Sequence, residues 1–398
     1  MSKSSFRVWW QKPRKIGTNN DDRQVSFLEL FYDLVYVALI AQLSHSFAEN
    51  ISWEGFINFV FMFIIVWWSW VNGSMYHDNH GNNDFKTRFF TFLQMFGVIG
   101  MAIFAGDATG KGANGFAISH AFYQSILAFL WWRSGVHEDE RRPLAYPYVL
   151  LYVISIGLFI GSVFIEAPYK FYIWSAATLF SLLLPAILFG FGYFNETTRK
   201  QVQESTKVSS SLVERFGLFT IIVLGEVVVG VVSGASHGSF DCDVAILSVI
   251  GTLIAISLWW LYFDFVSHRK PKEGVLNFMG WYYLHFPITA AITATGAGVL
   301  YILDHSHDPL ATNVKLLITT CVIIELVCIS ALLNIVDQHG RPERFILFGR
   351  ISMLASAIIF GGLSLLALPK ILFLSLAVVF LLIPVVIAFI QWILTYET

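Results

Sequence analysis

Twelve apolar stretches, each about the length of a bilayer-crossing helix and each closed by a polar or proline-containing break, leave this chain few folds to choose from. A hydrocarbon core of about 30 Å takes roughly 20 residues of helix. Runs of that order lie at 25–47, 55–76, 86–106, 115–133, 144–165, 169–194, 211–234, 243–266, 276–303, 310–335, 344–366 and 371–395. They are continuous rather than alternating, which excludes a closed barrel. Only 13% of the 398 residues are charged and 56% are hydrophobic, whereas a soluble domain carries about 25% charge. Too few charges remain to cover a water-exposed surface. The expectation is an all-α, polytopic integral membrane protein of about 12 transmembrane helices. Residues 1–24 are polar and basic, so no cleavable signal peptide is read there.

Lys and Arg set the expected orientation. Nineteen fall in the N-terminal segment and alternate loops, against Lys111, Lys170, Lys315 and Lys370 in the opposite set. That asymmetry places both termini in the cytoplasm, for a multi-pass protein of the bacterial inner membrane. The net charge of −2 gives no reason to expect nucleic acid as a partner. Three cysteines, Cys242, Cys321 and Cys328, exclude a disulfide scaffold. The partner to expect is the lipid bilayer, with a homo-oligomer left open.

The halves resemble each other. Trp67-Trp68-Ser69-Trp70-Val71-Asn72 answers Trp259-Trp260-Leu261-Tyr262-Phe263-Asp264 at an offset of 192, which also aligns 89–106 with 281–298 without a gap. Glu29-Leu30-Phe31 answers Glu214-Arg215-Phe216 at an offset of 185. The organisation this implies is a basic segment 1–24, a six-helix repeat 25–194, a linker 195–210 and a second six-helix repeat 211–398. Six is even, so the repeats run parallel, with a functional site expected at their interface.

Ionisable residues inside spans are costly and mark functional candidates. Glu29 and Asp33 lie four apart on one face of the first span; as a like-charged pair they suit a cation or proton unless an arginine intervenes. The seventh span carries Glu214, Arg215 and Glu226. Arg215 lies about 16 Å along the axis from Glu226, too far to pair with it, and is better placed to neutralise Glu29 or Asp33. Asn72, Asp264 and His285, with Arg88 and Arg350, fall in cytoplasmic halves of their spans and suit a water-accessible vestibule. Glu325, near the middle of the tenth span, has no partner visible in the sequence. The histidine-bearing stretches 76–84 and 304–308 read as solvated loops without fixed metal spacing. No Walker motif, dinucleotide glycine pattern, nucleophile elbow or H-E-x-x-H occurs, so neither cofactor, metal nor catalytic residue is expected.

These motifs carry a family resemblance. Phe27-Leu28-Glu29-Leu30-Phe31-Tyr32-Asp33-Leu34-Val35-Tyr36-Val37 resembles the ELFYDLVFV signature of the bacterial low temperature requirement A proteins. Residues 214–226, ERFGLFTIIVLGE, resemble a second segment of that family, and Trp259–Phe263 and His285 fit as well. The resemblance implies a multi-pass membrane protein associated with growth in the cold, and supplies no reaction or substrate. A fainter likeness is to the two-repeat potassium channels of endolysosomes and bacteria, whose first helix carries R-x-x-x-F-S-D. Phe31-Tyr32-Asp33 echoes its end, with Phe27 in place of the arginine; Arg215 and Phe219 match, with Thr220 and Ile221 replacing Ser and Asp.

The leading functional expectation is a permease or channel for a cation, proton or small solute. Glu29 and Asp33 bind the ion, with Glu214 beside them; Arg215 balances charge, and Glu226 is the outer step. Asn72, Asp264 and His285 line the inner vestibule. The alternatives are a membrane-embedded enzyme or lipid-handling protein at the cytoplasmic face, or a non-catalytic sensor or assembly partner.

Overall fold

The computed structural model describes residues 24–82, 84–137, 142–190, 206–236 and 241–396. Among them are twelve helices and no strand beyond the isolated pairing of Pro271 with Val336. The helices are α1 (Phe27–Glu49), α2 (Trp53–His80), α3 (Phe85–Ala105), α4 (Ala113–His137), α5 (Arg142–Ser162), α6 (Tyr169–Gly190), α7 (Ser210–Ser236), α8 (Cys242–Phe265), α9 (Val275–Asp304), α10 (Thr312–Ile335), α11 (Glu343–Leu363) and α12 (Lys370–Tyr396). Each coincides with one expected span. The N-terminal segment to residue 23, the end of the sixth expected span at 191–194 and the linker to residue 205 lie outside the described residues.

The chain divides into two compact units. One comprises Met1–Leu43, Phe61–Arg215 and Glu273–Met279; the other comprises Ser44–Val60, Phe216–Lys272 and Gly280–Thr398. In the first unit α3 packs on α4, α4 on α5 and α5 on α6. In the second, α12 packs on α8 and α11, and α11 on α10. Both units turn their polarity inside out. On α1 the stripe Glu29, Tyr32, Asp33, Tyr36 is buried, while Phe27, Phe31 and Leu34 are exposed. Leu150 and Phe180 in the first unit, and Ile358 (76% exposed) and Phe389 in the second, also face outward. Such surfaces are stable against lipid tails rather than water.

Eleven helices are long and apolar enough to cross a membrane. The remaining one, α4, falls short because it carries His120, Gln124, Arg133 and Ser134, all of them buried. Between the exposed Asn114 and His137 at its ends, its outer side holds Ile118, Phe122, Phe129, Trp132 and Val136, at helical spacing, together with Ser125. The Ser125 hydroxyl is spent on the Ala121 carbonyl, 2.7 Å away. Helix α4 thus presents an apolar stripe outward and its polar side to the first unit.

One segment departs from the sequence reading. The stretch from Tyr76, expected as a solvated loop, extends α2 by another turn, and His77, Asp78, Asn79, His80 and Asp84 are buried. Protein groups take the place of water there. His77 Nε2 lies 3.0 Å from Gln94 Oε1, and Asp78 accepts from the Ser209 and Ser211 hydroxyls at 2.6 and 2.9 Å. Ser209 also caps α7, accepting from Leu212 N–H at 3.0 Å, so Asp78 sits at a helix N-terminus that favours negative charge.

In the second unit α7 and α9 approach backbone to backbone. A Cβ on Gly230 would lie 2.8 Å from the Gly296 carbonyl oxygen, and one on Gly296 3.1 Å from the backbone of Glu226. Small residues at a crossing are the usual means of such an approach in lipid. Gly225, one turn earlier on α7, has nothing within 4 Å of its Cβ position. Gly296→Val should therefore destabilise the protein by about 1–3 kcal/mol, read as a lower apparent melting temperature in detergent. Gly225→Ala should leave that temperature unchanged.

Candidate functional site

Arg215, in the first turns of α7, reaches Asp33 on α1 inside the first unit. Its Nε donates to Asp33 Oδ2 at 3.1 Å and its Nη2 to Oδ1 at 2.5 Å. Trp70 of α2 adds its indole N–H to Oδ1 at 2.7 Å. Arg215 and Asp33 are each 1% exposed, and the guanidinium lies 5.6 Å over the Tyr32 ring. The two-pronged geometry suits Arg and not Lys. Arg215 Nη1 is buried and has no hydrogen-bond partner among the described residues. Glu29, one turn before Asp33, is buried and accepts from the Ser26 N–H and hydroxyl at 2.9 and 2.8 Å.

Beside the pair runs a directed chain of hydroxyls. The Tyr123 hydroxyl donates to the Ser69 carbonyl at 2.6 Å, which spends its one proton. The Tyr32 hydroxyl, 2.7 Å away, therefore donates to Tyr123, and Tyr36, at 3.1 Å, donates to Tyr32. Gly73 makes room for this meeting: a Cβ there would fall 2.1 Å from the Tyr32 hydroxyl oxygen and 2.6 Å from that of Tyr123. The sequence reading missed Trp70, Tyr36 and Tyr123. Tyr32 and Tyr36 could have been found, since they share the helical face of Glu29 and Asp33.

The second unit holds acids of a different kind. Glu325 of α10 is 1% exposed, and its Oε1 has no hydrogen-bond partner among the described residues. It lies close enough to Tyr262, Cys321 and Cys328 to act on them electrostatically. Glu226 of α7 is 5% exposed. His285 of α9 is buried; its Nδ1 lies 2.6 Å from the Trp281 carbonyl, which can only accept, so Nδ1 carries the proton. Nε2 then accepts from the Tyr262 hydroxyl at 3.0 Å. Thr289 and Thr293 continue the column along α9, each bonded to the carbonyl four residues back.

The remaining expected site residues lie apart from these clusters. Glu214 is exposed and accepts from Val25 N–H at 3.4 Å. Asn72 is buried and donates to the Trp68 carbonyl of its own helix at 2.8 Å. Asp264 is exposed at the end of α8, in the wall of a large pocket. Of the two basic residues that open α3, Lys86 is buried and Arg88 exposed. No group of three or more His, Cys, Asp or Glu side chains fit to hold a metal occurs among the described residues.

Polar stripes turned inward, apolar stripes turned outward and eleven helices of bilayer length define a polytopic helical membrane protein with ionisable groups inside its spans. The sequence profile of the bacterial low temperature requirement A protein (LtrA) family matches residues 24–391, and the chain belongs to that family. It is also similar to an uncharacterised protein of Rhizobium meliloti (strain 1021), 24% identical over an alignment of 302 residues that covers 73% of this chain and 72% of that one.

The buried pair makes a stability claim. Arg215→Met strands the Asp33 carboxylate and should cost about 3–5 kcal/mol, read as loss of monodisperse protein on heating in detergent. Asp33→Asn combined with Arg215→Met removes both charges and should recover part of that loss. A double variant no more stable than Arg215→Met alone would show that the charge pair is not what holds these helices.

Proposed function

We propose that this protein is a permease or channel of the bacterial inner membrane, with both termini cytoplasmic, that moves a proton or a small cation. One observation carries the reading: Glu325 is fully buried in the second unit with no hydrogen-bond partner for Oε1. A carboxyl in such surroundings is stable only with a proton or a cation on it. Glu226 is a second acid in a span with neither ion pair nor hydrogen bond among the described residues, and His285 with Tyr262 supplies neutral groups able to pass a proton. Asp33 has a different part. A cation bound between Glu29 and Asp33 would have to displace Arg215, so the pair balances charge within the first unit. A need for ion transport when lipid stiffens in the cold fits the property for which the family is named.

Purified protein in liposomes tests this with proton, potassium and sodium gradients. Parent protein should dissipate at least one of them, Glu325→Gln should abolish that flux, and Glu226→Gln should reduce it. Folded parent protein that passes none of the three ions would refute the reading. Flux undiminished in Glu325→Gln would move the route away from α10.

A further inference from the structure

At one end of the second unit a pocket of about 870 Å³ opens between the end of α8 and the loop after it, the turn joining α10 to α11, and the C-terminal part of α12. Its lining has two characters. Arg269, Lys270 and Arg341 bring positive charge against the carboxylates of Asp264 and Asp337, while Val385, Phe389 and Trp392 of α12 form an apolar wall.

The two arginines are held in an unusual way. Arg269 Nη1 donates to the Asp337 carbonyl at 2.9 Å, Arg341 Nη1 to the Phe265 carbonyl at 3.4 Å, and Arg341 Nη2 to the Asp264 carbonyl. Asp264 and Phe265 are the last residues of α8, where carbonyls lack partners within the helix and cations are favoured. Neither guanidinium makes an ion pair among the described residues. Asp337 accepts from the His339 ring and from its N–H at 3.1 Å, contacts that hold its carboxyl below the usual range. Asp264 lies near enough to Arg341 to offset part of its charge. Half-burial and the neighbouring Arg269 guanidinium lower Arg341 to about 10. Asp264 acts on Arg341 and Asp337 on Arg269, so with Lys270 three cations face two carboxylates in this half-buried space, an excess of positive charge that an anion relieves.

We propose that this pocket binds the phosphate of an anionic glycerophospholipid, with Arg269 and Arg341 on the phosphate and the acyl chains along α12. The wall decides for lipid over a free anion. Phe389 is 58% exposed and Trp392 45%, so apolar surface runs on from the cations along the helix. A Trp beside basic residues at a helix end is the pattern of a membrane interface, and basic pockets between helices at that level take lipid headgroups. This end of the unit also belongs to the Lys- and Arg-rich set of loops, where anionic lipid is attracted. The proposal stands apart from ion transport, and each can fail without the other.

Native mass spectrometry of the full-length protein, released from detergent after incubation with phosphatidylglycerol or phosphatidylcholine, tests it. Phosphatidylglycerol should be retained over phosphatidylcholine, and Arg269→Gln with Arg341→Gln should weaken its retention by at least about tenfold. Arg341→Lys should keep part of it, and Lys111→Gln, in a loop of the opposite set, should keep all of it. Equal retention of the two lipids, or an undiminished preference in the folded double variant, overturns the proposal. Retention of inorganic phosphate without lipid overturns it too, in favour of a free-anion site. Should the double variant fail to fold, Lys270→Gln and Trp392→Ala probe the two halves of the pocket. Weakened phosphatidylglycerol retention in either supports the proposal, and parent-like retention in both overturns it.

Discussion

Hydrocarbon on the outside is the constraint from which the rest of this structure follows. A polar side chain on these helices has no water to turn to over most of their length, so it must find protein, a helix end or a bound ion. Helix α1 illustrates the sorting. It sends Glu29, Tyr32, Asp33 and Tyr36 inward and leaves Phe27, Phe31 and Leu34 outward. Helix α4 does the same with a composition that looks too polar for a span. What matters to a bilayer is the character of the exposed stripe, and between residues 118 and 136 that stripe is apolar apart from a serine bonded to its own backbone.

That constraint explains which parts of the fold were legible in the sequence. Run lengths give the helices because a bilayer rewards continuous apolarity whatever lies beyond it. The end of α2 was misread because hydropathy sees His77, Asp78 and His80 as water-loving and cannot see Gln94, Ser209 and Ser211 waiting for them. Arg88 was read as lining a vestibule, whereas it is exposed and Lys86 is the buried one, for a related reason. Two residues apart on a helix, they face different ways, and composition alone does not say which one turns inward.

The candidate site divides along the same line. Arg215 was readable as the partner of an acid on α1 because few cations lie within spans, and a buried acid needs one. Trp70 was not readable, since its indole N–H is one donor among 13 tryptophans. The pocket beside Asp264 was seen only in pieces. Arg269, Lys270 and Arg341 entered the sequence reading as counts in an orientation argument, and only the fold brings them to one cavity with an apolar wall.

Three solutions to one electrostatic problem therefore coexist in the chain, and they differ in what each leaves available. Asp33 is matched in full by Arg215 and Trp70, which fixes helices but leaves the carboxylate nothing to offer an ion. Arg269 and Arg341 rest on neutral carbonyls, with Asp337 and Asp264 offsetting part of their charge, and Lys270 leaves the pocket with one more cation than it has carboxylates, so it remains able to attract an anion. Glu325 is matched by nothing at Oε1. A buried acid that does no more than pack gains nothing in stability over an apolar residue of similar volume. Glu325, like Glu226, has no counter-charge among the described residues, and the proposed transport is what would give such an acid a ligand that comes and goes.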